Sequence, residues 1–323
     1  MTAAAERLEP GKSPRAMLRR ARSRRDRLPV NATIVFAEET KATGIDAVLA
    51  AVDRELVGLA PVKQRISEIA ALLMVDRVRQ RFGLAAPRPS LHMCFTGSPG
   101  TGKTTVGLRM ADLLHRLGYL EEGHLVAVMR DDLVGQFVGQ TAPRTRAVLN
   151  KAMGGVLFID EAYHLYREDS GKDYGQEAIE ILLQVMENER DKVVVILAGY
   201  EDRMDTFFSA NPGLSSRVAF HLSFADYDVD ELDAIGRLLL GASGYFLSDD
   251  AAAAFRGYLE HERGQPKFAN GRTVRNLLEA ARFRHANRLV SQPERAWDRD
   301  DLMRIDVADL LIEGTGRDAE LPA

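Results

Sequence analysis

Residues 91–106, LHMCFTGSPGTGKTTV, constrain this chain more than any other stretch: an apolar run, a loop of glycines, then Lys103-Thr104-Thr105 opening a helix. The apolar residues suit a buried strand. Gly97, Gly100 and Gly102 let the backbone turn sharply and aim successive N–H groups at an anion. The loop then delivers the positive end of a helix to the same point. The spacing satisfies G-x-x-x-x-G-K-[ST] in full, so Gly97, Ser98, Pro99, Gly100, Thr101, Gly102, Lys103, Thr104 and Thr105 are expected to cradle phosphates. Lys103 would reach the β- and γ-phosphates of ATP, and the Thr104 hydroxyl would sit on Mg²⁺, a hard ion that prefers oxygen ligands. Val106, Met110, Leu113, Leu114 and Leu117 fall on one face of the helix that follows.

A second motif depends on the first. Residues 155–159 read as a buried strand ending in Asp160-Glu161. The strand would carry both acids to its C-terminal edge beside the phosphate loop, with Asp160 in the Mg²⁺ shell and Glu161 orienting or deprotonating the attacking water. Further strands are expected at residues 124–129, 193–197 and 219–224. Helical patterns occupy residues 37–81, with Pro61 at a helix start, and a stripe of Ile179, Leu182, Leu183 and Met186. Strands alternating with helices imply a parallel sheet covered on both faces. After Asp226 helices take over, at residues 229–240, 249–262 and 271–289, with a break at Asn270-Gly271 and a short strand or helix around 303–312. The expected division is an extension at 1–32, an α/β nucleotide-binding domain with N-terminal helices at 33–225, and a helical domain with a C-terminal tail at 226–323.

Composition excludes several classes. Residues 1–32 hold nine Arg or Lys against three acids, so a total of −4 leaves −10 on the body, which argues against nucleic acid as partner. The Arg-rich extension reads as a solvated, disordered tail or an upstream start with Met17 as alternative. An organelle presequence or a partner-binding arm remain the other readings. Cys94, the only cysteine, excludes a disulfide framework and a Cys-rich zinc site, and lies in an apolar run as a core residue. That suits a reducing cytoplasm. No run approaches the roughly 20 apolar residues of a membrane span. The seven histidines form no metal spacing, and His164 reads as a packed or surface residue.

Taken together, GSPGTGKTTV, GGVLFIDEAYHLY, DYGQEAIEILLQVMEN, VVILAGYEDRM, NPGLSSRV and FANGRTVRN resemble the AAA+ ATPases of the CbbX/CfxQ family, which includes the red-type Rubisco activases. The resemblance runs from about residue 33 to 289. It implies a P-loop NTPase of the α/β class, an AAA+ parallel sheet followed by a small all-helical lid, working as a homo-hexamer with ATP between neighbours. Arg217 matches the arginine finger that reaches a neighbour's γ-phosphate. Arg272 matches the sensor in the lid, with Arg275 the less favoured position. Phe137-Val138-Gly139 matches an aromatic-apolar-Gly pore loop, although the red-type activases carry Tyr where this chain has Phe. A second inner loop is expected at residues 167–174. Ala198-Gly199-Tyr200 occupies the place where many AAA+ proteins carry a polar sensor, and leaves that role unassigned.

The function so implied is ATP-driven remodelling of red-type Rubisco. The C-terminus of the Rubisco large subunit is pulled transiently into the pore, and inhibitory sugar phosphates are released. Ribulose bisphosphate is the implied activator, yet no second phosphate-cradling loop stands out to hold it. In a photosynthetic eukaryote the location would be the plastid stroma. The rival readings are a CfxQ-type ATPase with another client, such as the EccA secretion or SpoVK sporulation relatives, and a nucleotide-dependent scaffold. The compact length disfavours the first, and an intact Glu161 the second.

Overall fold

The computed structural model describes residues 27–84, 89–167 and 174–310. Most of the Arg-rich extension and of the loop expected at 167–174 therefore lies outside the described residues.

Three helices come first, α1 (Phe36–Thr43), α2 (Ile45–Glu55) and α3 (Ala60–Arg81). Pro61 sits in the first turn of α3, where a missing N–H costs nothing. The strands β1 (His92–Gly97), β2 (Leu125–Val128), β3 (Val156–Ile159), β4 (Val194–Gly199) and β5 (Val218–Phe224) then alternate with α4 (Lys103–Arg116), α5 (Thr141–Ala152), α6 (Gly175–Asn188) and α7 (Glu201–Ala210). Their order in the sheet is β2-β3-β4-β1-β5, and every pairing is parallel. Parallel neighbours require crossover connections, which these helices supply.

The two-residue period of the strands sorts the core into two layers. Met93, Phe95, Phe158, Ile196 and Ala198 pack with Val106, Met110 and Leu114 of α4. Cys94, Leu157, Ile159, Val195 and Leu197 pack on the other face with Ile179 and Leu182 of α6. Both faces are thus covered, which is why the central strands read as unbroken apolar runs. The predicted α4 stripe is buried throughout. Burial pushes the Cys94 thiol up to about 12, so it behaves as a small core residue. At the sheet edge, β5 alternates buried and exposed residues.

The chain then forms a bundle of α8 (Val229–Ala242), α9 (Asp249–Glu262) and α10 (Gly271–Val290). Asp228 caps α8, accepting from the Glu231 N–H at 2.8 Å while Glu231 accepts from the Asp228 N–H at 2.9 Å. Leu232, Leu240, Phe255, Leu259, Val274 and Leu278 fill the bundle and run continuously into the core beneath α4. Within it lies a small parallel ribbon of β6 (Phe246–Leu247) and β7 (Arg304–Ile305). β7 falls within the short strand or helix expected around 303–312, whereas β6 lies outside the expected elements, since a two-residue strand carries no period to read.

Candidate nucleotide site

The strand order sets the carboxyl ends of β1 and β3 on either side of β4. Thr96 lies opposite Gly199, and Ile159 opposite Leu197. The glycine loop, the two acids and the end of β4 consequently meet at one edge, the place where open α/β sheets bind ligands. A cleft of 480 Å³ opens there between sheet and bundle. Of the residues singled out above, Gly97, Pro99, Gly100, Gly102, Lys103, Thr104, Thr105, Asp160, Glu161 and Arg272 line it. Ser98 and Thr101 are not among the lining residues. Thr101 is fully buried, and its hydroxyl donates to the Ser98 carbonyl at 2.8 Å, stiffening the loop from within.

Lys103 folds back over its own loop, donating to the carbonyls of Gly97 at 2.8 Å and Ser98 at 2.7 Å. Burial lowers its pKa, and Arg272 acts in the same direction while Asp160, Asp226 and Glu161 oppose it. The ammonium is therefore under-compensated, a condition that an anion would relieve. Asp160 accepts from the Glu161 N–H at 3.0 Å. Glu161 itself adopts a left-handed backbone, φ 49° and ψ 44°.

Among the described residues, the non-glycine positions with positive φ are Leu59, Glu161 and Asn270. Such backbone costs on the order of 1–3 kcal/mol per residue and clusters where the surrounding structure enforces it. Here all three flank the cleft. Leu59 follows Leu56 and Val57, which wall the cleft on one side, and Ile235, Leu238 and Leu239 of α8 wall it on another. Asn270 is fully buried. Its side-chain oxygen accepts from the Tyr227 N–H at 3.0 Å, and its amide donates to Asp226 at 2.8 Å and to the Pro99 carbonyl at 3.4 Å. Tyr227 adds a bond from its hydroxyl to the Thr101 carbonyl at 3.1 Å. These contacts fasten the bundle to the glycine loop and bring Arg272 and Arg275 to the lip of the cleft.

Asn270, Tyr227 and the apolar walls do not stand out in the sequence. The Asn270-Gly271 break is visible there, but its partner Pro99 is 171 residues away, and only the fold joins them.

Two predicted features lie elsewhere. Arg217 directly precedes β5, at the opposite end of the sheet from the cleft; seven residues of strand separate the two ends, about 20 Å. It donates to the Gly213 carbonyl at 2.8 Å and lies 3.1 Å from the Glu187 carboxylate. The other feature is a loop beyond β2. Phe137 is 67% and Val138 81% exposed, and Gly139 has φ 80°. The stem of this loop is held firmly: Thr141 accepts from the Gly135 N–H at 3.0 Å, and Arg144 donates to the Val134 carbonyl at 3.1 Å. An aromatic tip thus projects from an anchored base.

Among the described residues, no three His, Cys, Asp or Glu side chains gather as a metal site, and no helix is long and apolar enough to cross a membrane. His164 is a partly exposed residue whose ring packs at a tilt of 49° against Tyr163, 4.6 Å between ring centroids.

Comparison with known proteins agrees with this geometry. The model of the ATPase family associated with various cellular activities matches residues 93–225, and that of the AAA lid domain matches residues 228–319. The chain is 60% identical to the protein CbbX of Cereibacter sphaeroides over 259 residues, 80% of this chain and 84% of that one. It is 56% identical over 279 residues to the chloroplastic ribulose bisphosphate carboxylase/oxygenase activase of Cyanidioschyzon merolae, 86% of this chain and 95% of that one. Among solved structures, the RuvB Holliday junction branch migration motor of Thermotoga maritima superposes with a TM-score of 0.51 at 20% identity, covering 79% of this chain and 67% of that one, a likeness of fold alone. With the ATPase and lid models matching in tandem, and with relatives of this identity spanning most of its length, the chain belongs to the CbbX/CfxQ family of AAA+ ATPases.

Proposed function

We propose that this ATPase is a red-type Rubisco activase, a hexameric motor that couples ATP hydrolysis to remodelling of inhibited Rubisco. The observation that carries the reading is the cleft: a lysine, a hydroxyl, two carboxylates and a lid arginine converge there, while Arg217 sits at the far end of the sheet. Two relatives at 56% and 60% identity, one named an activase, support the client.

Within the cleft the roles follow from chemistry. Lys103 exchanges its two carbonyl partners for β- and γ-phosphate oxygens, and Leu56, Val57, Ile235 and Leu238 flank the base. The Thr104 hydroxyl and Asp160 carboxylate, both lining the cleft, are the oxygen donors that suit Mg²⁺. Magnesium, when bound there, neutralises charge on the phosphate oxygens. Glu161 accepts a proton from the water that attacks the γ-phosphorus, as the bond to the bridging oxygen breaks. Arg272 offsets the developing negative charge from the lid side.

Arg217 cannot serve its own cleft across about 20 Å. A role for it at the γ-phosphate therefore requires a neighbouring protomer, which makes the ring part of the chemistry. Phe137 and Val138 would face the ring axis and grip an extended peptide, the C-terminus of the Rubisco large subunit. Glycine at 139 lets the tip swing while Thr141 and Arg144 hold the stem. One buried cysteine suits a reducing compartment, the cytoplasm or, in a photosynthetic eukaryote, the plastid stroma.

The test is ATP hydrolysis by the purified protein with and without ribulose bisphosphate, followed by addition of inhibited red-type Rubisco. Stimulation together with recovered carboxylation is the expected result. Hydrolysis without either response would move the client elsewhere in the family.

A further inference from the structure

The end of β4 brings no polar side chain of its own to the cleft beside Glu161: Ala198 and Gly199 are buried, and Tyr200, just past the strand, lies at the lip. The space above Gly199 is taken by another residue. A Cβ added there would lie 2.7 Å from the Tyr163 ring and 2.9 Å from the Met204 sulfur. Glycine is therefore needed for the ring of Tyr163 to lie across the strand end.

The ring is clamped in that place. Tyr163 is 8% exposed, packs 6.2 Å from the Tyr200 ring, and shares the Arg203 guanidinium, which lies 5.1 Å from its centroid and 5.3 Å from that of Tyr200. Its hydroxyl donates to Oε1 of Glu161 at 3.2 Å. His164, partly exposed, lies 3.7 Å from Oε2 of the same carboxylate, too far for a hydrogen bond.

We infer that Tyr163 is the positioning residue for Glu161, its hydroxyl supplying the polar group that the end of β4 lacks. The phenol anchors one carboxylate oxygen and leaves the other to meet water in the cleft. Burial, with Glu161 beside it, pushes the phenol up to about 12, so it remains a donor at neutral pH. The short helical turn Ala162–Leu165 and the left-handed backbone at Glu161 fold the two side chains toward each other within three residues. This inference rests on the assignment of Glu161 as the group that activates water.

The experiment compares wild type, Tyr163→Phe, Glu161→Gln and the double variant of the full chain, measuring kcat, nucleotide Kd and melting temperature. Phenylalanine keeps the ring over Gly199 and removes only the hydroxyl. Loss of a bond to a charged acceptor is expected to lower kcat about tenfold or more, with Kd within about twofold and melting unchanged. In the Glu161→Gln background the same substitution should add nothing, because the two residues act as a unit. A kcat for Tyr163→Phe within about twofold of wild type, or a further tenfold drop in the Glu161→Gln background, overturns the inference and leaves Glu161 in place. Turnover by Glu161→Gln at the wild-type rate overturns the assignment of Glu161 itself, and the inference with it.

Discussion

The backbone N–H of Gly271 donates to the carbonyl of Gly100 at 3.1 Å, joining the first residue of α10 to the middle of the glycine loop. The approach is close enough that a Cβ on Gly100 would lie 2.1 Å from the Ala269 carbonyl and 2.8 Å from the Arg272 nitrogen. Both obstacles are backbone, and φ at Gly100 is 74°, so no flexible side chain can yield. Gly100→Ala should therefore separate lid and loop, cost about 1–3 kcal/mol in strain, and weaken ATP binding about tenfold or more. Nucleotide titration and denaturant unfolding measure both; unchanged affinity would show that the contact does not hold the lid.

Lys103 and Glu161 stand on opposite sides of β4 and should fail in different ways. Lys103→Ala removes the cation that now rests on two carbonyls of its own loop; on the proposed reading it trades them for phosphate, so ATP binding and hydrolysis should both be lost. Glu161→Gln keeps size and polarity but cannot accept the proton. ATP should stay bound while turnover falls by about 10²-fold or more. Filter binding and phosphate release separate the two, and rapid turnover by purified Glu161→Gln protein would sink the role given to that residue.

The glycine loop, the acidic strand end and the α4 stripe could be read from sequence because each is written in consecutive or periodic residues. So could the two-faced sheet, since strands such as β4 are apolar along their whole length. What stayed hidden lies between distant segments. Asn270 reads in sequence as a helix break and proves to be a buried clasp on Pro99 and Asp226. Tyr163 reads as part of a motif, and only the packing over Gly199 shows why its ring is there. Arg217 could be matched by resemblance, but its distance from the cleft depends on the direction of β5.

Phe137 is exposed at 67% on a loop whose stem is anchored, so truncating it removes a contact surface without disturbing a core. Phe137→Ala should leave ATP turnover without client within about twofold. Rubisco reactivation should fall to background, because the aromatic grip on an extended peptide is gone. Phe137→Tyr restores the ring and should restore reactivation. Carboxylation recovered equally by the alanine variant would remove the pore assignment.

His92 gives the sheet a pH limit. It is buried at the start of β1, where Nδ1 accepts from the Val195 N–H at 3.0 Å and Nε2 donates to the Met186 carbonyl at 3.0 Å. Both nitrogens are committed in the neutral ring, and a second proton would have to displace the bond from Val195. Burial lowers its pKa; nearby Arg217 acts the same way, while the bond to Met186 and the charge of Glu187 oppose them. The unfolded chain, with histidine near 6.5, then binds more protons than the folded one as the solution is acidified. Stability from this residue is accordingly full above about pH 6.5 and is lost as pH falls through the lower folded value. Melting temperature followed from pH 8 to 5 should decline on the acid side, and His92→Gln, less stable at neutral pH, should decline less steeply. An acid slope of equal steepness in the variant would place the titrating group elsewhere in the fold.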